Sequence, residues 1–503
     1  MKFHLFMTTI FTLIVSIFLS CGDAAKSSQD IAAAPQALEK SVTQATDNSQ
    51  APTVTTTSDP LKGGPAEIIL NVKNMTEPTA SLIGFFAENH FKADTATVNN
   101  GKIVFKRPGG YDQGLYYVSI GAERFAQIIL GEDQKFDVSL DANDPLNTIT
   151  VNGSLENELF YENLKYEQSY NARYSVATNK LKSLTRGTPE YQKADDEKRA
   201  LENERREKLE TVFKKNPNLL FTKFKMAGQN PTVRTELSDK EQVYHFRQEF
   251  WDNVDFSDTR LIRTPVINNK LKRYIKELTP QNADSIVASA KFLIDKTLQY
   301  PEYYKFFSNW VVLEYEAGKS TLMDPEAVFV NITQEYFTKE RAFWADSMEV
   351  YAIINRGREM GNSLVGQKGP NVSVPGVDGV KKTLYDSKAD YIVVYLYAPS
   401  CEHCMEETPK LVQWYNENKS NGCDVYAIAL DTEIQEWKDY IAKNNMTFTN
   451  VHDPTNVSIY STYYVDVTPE LYLLNKERKI IGKNLKTFQL EIMIDKDKEK
   501  LKD

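Results

Sequence analysis

Cysteine is scarce in this chain. Four in 503 residues are too few for a disulfide framework, so any sulfur chemistry must be local. Long hydrophobic runs are missing too. No uninterrupted apolar stretch reaches about 18 residues, which excludes a multispanning helical membrane protein, and the mean hydropathy is −0.47. There is no basic excess: 60 Lys+Arg stand against 69 Asp+Glu, a formal charge of −9. A general nucleic-acid binder normally presents a basic domain or face, so no nucleic-acid partner is expected. With 22 Gly and 20 Pro the chain is neither collagen-like nor low in complexity. What is present is globular: 41% hydrophobic and 11% aromatic residues, over a length that suggests about three folded units.

The chain opens on Lys2, an apolar run from Leu5 to Ser20, then Cys21-Gly22-Asp23. A charged start, a short hydrophobic stretch and small residues at the cut have the layout of a secretory signal. Leu19-Ser20-Cys21-Gly22 resembles the bacterial lipobox, which implies cleavage before Cys21 and lipidation of its sulfur. An ordinary cleaved signal, with Cys21 incidental, is the alternative. Several acyl chains on one residue would anchor the protein stably, because each buried methylene contributes about 0.8 kcal/mol. Residues 22–65 are rich in Ala, Ser, Thr, Gln and Pro without hydrophobic periodicity, as in a disordered tether spanning a few tens of ångströms. Gly22, rather than Asp, after the lipid-bearing Cys favours the outer over the inner membrane. The expected location is the cell envelope, facing the periplasm.

Three compositional blocks follow. In residues 66–153, Ile68/Leu70/Val72, Ile103/Phe105, Phe136/Val138/Leu140 and Ile149/Val151 alternate with polar residues, and Asn99-Asn100-Gly101 and Pro108-Gly109-Gly110 mark turns. Short strands with such spacing predict an all-β sandwich; His90 is placed in a surface loop. Over residues 154–366 the period becomes helical, with Tyr166, Tyr170 and Tyr174 on one face and Thr188-Pro189 starting a new helix. The doubly charged stretch from Asp195 to Arg206 reads as a solvated helix face, and Trp251, Trp310 and Trp344 point to a filled all-α core. Residues 367–503 alternate strands and helices, the signature of βαβ units and an α/β domain. Tyr391–Leu396 is an almost continuous apolar strand, as a central strand should be.

Where that strand hands over to a helix stands Cys401-Glu402-His403-Cys404. The first sulfur lies at a helix N-terminus, where unpaired N–H groups and the dipole favour a thiolate. The second lies within one helical turn, close enough to close a disulfide. Zinc normally takes four ligands from two such pairs, and only one pair exists, so no metal is expected. Attached haem needs His directly after the second Cys, where Met405 stands. An inert structural disulfide remains the rival to a redox pair.

The run Tyr397-Ala398-Pro399-Ser400-Cys401-Glu402-His403-Cys404-Met405-Glu406-Glu407-Thr408-Pro409, with Val467-Thr468-Pro469-Glu470-Leu471-Tyr472, resembles thioredoxin-like domains of the TlpA/ResA type found on bacterial envelope proteins. The resemblance covers about a quarter of the chain and implies a thioredoxin fold. It makes Cys401 the exposed nucleophile, Cys404 the buried resolving thiol, Glu407 a carboxylate that tunes the pair and can shuttle a proton, and Pro469 a cis-proline that lets the Thr468 backbone pair with an extended substrate. The upstream blocks, including Asn253–Asp258 and Arg263-Thr264-Pro265, look like β and helical domains of unknown function that precede such domains in some lipoproteins.

The chain also departs from the family. Ser400 stands where Trp is usual, leaving the site more open and polar. His403 replaces Pro; as a cation it would stabilise the thiolate, while Glu402 would oppose this by like-charge repulsion. Tyr395 occupies the strand position of the buried Asp of cytosolic thioredoxins. Cys423 reads as a buried hydrophobe and His452 as an exposed loop residue. The expectation is an envelope thiol–disulfide oxidoreductase acting on exported protein thiols and disulfides. It would work more as a reductant than as an oxidase or isomerase, with a membrane electron donor and no cofactor beyond its cysteine pair. The rival reading is an envelope binding scaffold whose redox domain is a switch.

Overall fold

The computed structural model describes residues 61–121 and 123–500. The expected signal peptide, the expected lipidation site at Cys21 and nearly all of the expected tether lie outside the described residues. Among those described, no helix is long and apolar enough to cross a membrane. The protein forms two compact units that divide between Lys270 and Leu271, within the stretch of helical periodicity.

The first unit begins with eight strands in two four-stranded sheets. One has the order β4(Lys102–Arg107), β1(Ala66–Lys73), β7(Lys135–Asp141), β8(Thr150–Asn152); the other runs β3(Asn89–Thr97), β2(Thr79–Phe86), β5(Gly114–Ile120), β6(Glu123–Leu130). Only β1 and β7 pair in parallel. The alternation reads true: Ile68, Leu70, Val72, Ile103, Phe105, Phe136, Val138 and Leu140 are buried while their neighbours face outward. The turn at Asn100-Gly101 needs positive φ at both residues, and a Cβ on Gly101 would sit 2.2 Å from the Val72 carbonyl oxygen. His90 corrects the loop expectation. It lies in β3, exposed, with its ring edge-on to Phe85 at 4.7 Å.

Five helices follow: α1(Leu155–Lys182), α2(Pro189–Lys215), α3(Leu220–Ala227), α4(Asp239–Glu249) and α5(Pro265–Lys272). Ser154 caps α1, and Thr188 caps α2 with Pro189 in the first turn. Tyr166, Tyr170 and Tyr174 stack along α1, and Lys208, Arg205 and Lys198 of α2 lie over their rings at 4.2, 5.5 and 5.4 Å. The charged stretch of α2 is therefore not wholly solvated. Arg205 pairs with Glu167 at 2.9 Å and Glu204 with Arg173 at 2.7 Å, joining the two helices. The upstream motif is also structural: Asp258 caps the turn 259–263, and Arg260 reaches Asp258 and Gln113.

The second unit opens with α6(Ala283–Asp295), α7(Pro301–Glu314), α8(Pro325–Tyr336) and α9(Ser347–Met360). A two-stranded ribbon, β9(Ser373–Pro375) and β10(Lys381–Thr383), precedes a five-stranded sheet of order β13-β12-β11-β14-β15. Its members are β11(Tyr391–Tyr397), β12(Cys423–Leu430), β13(Thr449–Asp453), β14(Glu470–Leu474) and β15(Ile480–Gly482). Strands β11, β12 and β13 pair in parallel and β14 and β15 antiparallel, a mixed sheet with separate apolar cores on its two faces. Helices α10(Glu402–Asn418), α11(Ile434–Asn444), α12(Val457–Tyr463) and α13(Leu490–Lys500) complete it. All seven residues of β11 are buried, which explains its unbroken apolar run. His452 is again a correction. It is a half-buried residue of β13, stacked on Trp437 at 4.8 Å and hydrogen-bonded to the Thr432 carbonyl at 2.7 Å. Trp251 is buried in the first unit and Trp310 in the second, so the tryptophans do not share one core.

Candidate active site

Strand β11 ends at Tyr397, and Ala398-Pro399-Ser400 carries the chain to Cys401, the N-cap of α10. The Cys404 N–H donates to the Cys401 sulfur at 3.3 Å, so a sulfur takes the capping role usually filled by an oxygen. Cys401 is half-buried and Cys404 fully buried; both are reduced. Burial alone would raise the Cys401 thiol. Hydrogen bonds from Cys404 and Thr468 and from the backbone at Cys404 and His403 outweigh it and hold the thiol below its ordinary value. Burial, followed by the hydrogen bond to Cys401, pushes Cys404 up to about 12. The two thiols are thus split, one lowered and partly exposed, the other raised and buried.

The Thr468–Pro469 peptide bond is cis, and the Cys401 S–H donates to the Thr468 carbonyl oxygen at 3.2 Å. The structure therefore brings together Cys401, Cys404, Thr468 and Pro469, residues that are 67 positions apart at Cys401 and Thr468. Ser400, Glu402 and His403 are exposed at the rim. His403 lines an open groove of about 580 Å³ together with Glu406, Lys410, Trp414 and Phe488. Phe488 is 75% exposed there, while the indole N–H of buried Trp414 has no hydrogen-bond partner among the described residues.

Glu407 is buried on α10, and its Oε1 accepts the Thr487 N–H at 2.7 Å while Oε2 lies 3.4 Å from the Lys410 ammonium. Burial would raise this carboxyl, but the Thr487 hydrogen bonds and Lys410 hold it below its ordinary value. Neither sulfur is among its hydrogen-bond partners. Cys423 is buried in β12 against the apolar core, where desolvation raises its thiol.

Beneath Cys404 lies a hydroxyl network that the motif does not announce. Tyr440 donates to the Cys404 carbonyl at 3.2 Å, and the Thr408 hydroxyl joins Tyr440 at 2.8 Å and Tyr395 at 2.7 Å. Tyr395 and Tyr397 stack at 4.9 Å, and Tyr397 accepts from the Trp437 indole at 3.2 Å. Burial raises Tyr395 and Tyr440, which keeps their hydroxyl protons in place as donors. Thr408 sits one turn after Cys404, a spacing visible in sequence; Tyr440 comes from another helix, and nothing local points to it.

Comparison with known proteins agrees with this geometry. The AhpC/TSA family matches residues 365–483, and a domain of unknown function (DUF5106) matches residues 195–350. The thiol-disulfide oxidoreductase ResA of Bacillus thuringiensis subsp. konkukian is 26% identical over 155 residues, covering 31% of this chain and 78% of that protein. Among solved structures, a domain of a possible thiol-disulfide isomerase from Cytophaga hutchinsonii is 33% identical, covering 28% of this chain and 96% of that one, with a TM-score of 0.26. A thioredoxin-like protein from Bacteroides caccae covers 53% of this chain and 97% of that one at 19% identity, with a TM-score of 0.45. Residues 365–483 thus form an AhpC/TSA-type thioredoxin-like domain, similar to thiol–disulfide oxidoreductases, and it follows a domain of unknown function.

Proposed function

We propose that the protein is a thiol–disulfide oxidoreductase of the cell envelope, tethered through lipidated Cys21 and exchanging disulfides with exported proteins through Cys401 and Cys404. The carrying observation is the split between the two thiols: Cys401 lowered at a helix N-terminus, Cys404 buried and raised to about 12. In the reducing direction the Cys401 thiolate attacks a substrate disulfide, whose S–S bond breaks as a mixed disulfide forms. One substrate sulfur leaves as a thiolate. Cys404 gives up its proton, which neutralises that leaving thiolate, and attacks the Cys401 sulfur. The Cys401–Cys404 disulfide forms and the second substrate sulfur departs; two electrons have passed to the substrate. A membrane-bound dithiol donor would restore the pair, and no cofactor is required.

The Thr468 carbonyl gains a role in this scheme. It accepts the Cys401 S–H in the reduced protein, and on thiolate formation it becomes free to accept an N–H from an extended substrate backbone. The reductant direction rests on the likeness to ResA. Insulin reduction with wild type and Cys401→Ser tests the assignment: loss of turnover in the variant supports it, and equal rates in both defeat it. Cys21→Ala should move the protein from the membrane to the soluble fraction if the tether is lipid.

A further inference from the structure

Thr468 sits in a short stretch, Tyr464 to Glu470, that is held at its N-terminal end by residues preceding the thioredoxin-like domain and faces, at its C-terminal end, a buried charge cluster they share with Lys483. On the N-terminal side, Arg356 of α9 donates from Nε to the Tyr464 hydroxyl at 2.5 Å. Its Nη1 pairs with Glu316 at 2.6 Å, and its Nη2 lies 3.6 Å from Asp466. Tyr464 adopts φ +54°, a left-handed conformation that a bulky residue rarely holds without help from its surroundings. Asn362 and Ser363 add hydrogen bonds to the Ser461 and Tyr463 carbonyls, each at 3.0 Å.

On the C-terminal side, Glu470 begins β14 at 4% exposure, directly after Pro469. It shares a buried cluster with Lys483, Glu326 and Asp324. The Lys483 ammonium is 3.3 Å from Glu326 and 3.9 Å from Asp324, and its side chain is 1% exposed. Asp324 caps α8 through the Ala327 N–H and also accepts the Val365 N–H at 2.8 Å. Lys483 is the buried cation shared by Glu326 and Asp324, so losing it leaves buried charge uncompensated; the Glu470 carboxyl is linked to the three by charge rather than by a hydrogen bond. Arg356, Glu316, Asp324 and Glu326 all lie before residue 365, where the match to the AhpC/TSA family begins.

We propose that helices α8 and α9 position the catalytic loop: Arg356 and the Glu326–Lys483 cluster brace the two flanks of Thr468–Pro469 and so fix the carbonyl that meets Cys401. Arg356 and Glu326 are positioning residues, since neither touches a sulfur. The inference rests on the oxidoreductase reading for its importance, yet its primary test does not need turnover.

The test titrates Cys401 by iodoacetamide alkylation against pH in the full chain, for wild type, Arg356→Ala, Arg356→Lys and Glu326→Gln. Each protein is first checked for wild-type far-UV circular dichroism and cooperative melting. A loosened carbonyl should move the Cys401 midpoint by about 0.5 pH unit or more in Arg356→Ala, with a smaller shift in Arg356→Lys, which keeps the charge but not the planar fork. Insulin reduction should fall about threefold or more, as expected when a reacting group is misplaced. Unchanged midpoints in the folded Arg356 and Glu326 variants overturn the proposal. If Arg356→Ala does not fold, Glu326→Gln alone decides by the same criterion. An inactive wild type with a shifted midpoint in the variants would sink the oxidoreductase reading and leave the positioning role standing.

Discussion

Glu407 gives its carboxylate to the Thr487 backbone, 2.7 Å away and 80 residues later, rather than to either cysteine. That bond ties α10 to the chain entering α13, so its first consequence is for stability. A hydrogen bond to a charged acceptor contributes about 1.5–3 kcal/mol and one to a neutral acceptor about 0.5–1.5, so Glu407→Gln, which keeps an acceptor but loses the charge, should cost about 1 kcal/mol in urea denaturation at pH 7. Because the folded-state carboxyl is held below its ordinary value, the contribution is present above the unfolded value and fades as pH falls through the folded one. The variant's deficit should therefore shrink in acid. A Glu407→Gln protein with undiminished stability but an altered pH profile for turnover would instead assign this residue to proton transfer.

The unequal thiols have a direct readout. Alkylation of the reduced native protein should label Cys401 first, with a midpoint below that of a free thiol, about 8.5. Cys404 should stay unlabelled through pH 9, because burial and its bond to Cys401 hold it near 12. Peptide mapping distinguishes the two; early labelling of Cys404 would contradict the assigned roles.

The hydroxyl network beneath the pair should matter to the fold more than to the thiols. Tyr440→Phe removes the donor to the Cys404 carbonyl and one partner of Thr408 while keeping the ring beside Tyr397. A neutral hydrogen bond of this kind contributes about 0.5–1.5 kcal/mol, and a loss of that size is expected in chemical denaturation. Loss of insulin reduction without loss of stability would give the tyrosine a chemical role.

How much of this was legible beforehand depended on where each signal lies in the chain. Cys401, Cys404 and their helix sit in one contiguous motif that a local reading singles out, and Thr468-Pro469 sit in a second contiguous motif that the family resemblance singles out. Strand β11 announced itself because every residue is buried. Strand β3 did not: most of its residues are exposed, so neither alternation nor an apolar run marks it. His452 looked like a loop residue because Asp453-Pro454 follows, yet β12 pairs with its segment and Trp437 stacks on its ring. Glu407 was singled out by the family resemblance, but its partner depends on a chain reversal 80 residues on. The Arg356 and Lys483 contacts join segments more than a hundred residues apart, and the lone charged residues that make them carry no local signature.

Glu470 yields a pH dependence of unusual sign. Desolvation is the main cause that raises this wholly buried carboxyl to about 8, with Lys483 opposing and the Glu326 charge adding to the rise. From its ordinary value of 4.5 up to about 8, the unfolded chain has lost this proton while the folded protein keeps it. The folded state then binds more protons, so this group's contribution is full in acid and is lost as pH rises through that window. Glu470→Gln is close in volume and carries no titrating group, so it should escape the loss. Its advantage over wild type should be near zero below pH 4, grow through the window and level off above pH 8. At pH 7 the interval corresponds to roughly 2–5 kcal/mol. Comparing the two proteins pairwise at each pH cancels the titrating groups not coupled to Glu470, including Lys225, which burial lowers to about 8 in the first unit. A stability difference that stays constant between pH 4 and pH 8 would mean that Glu470 is ionised in the folded protein and that Lys483 fully compensates it.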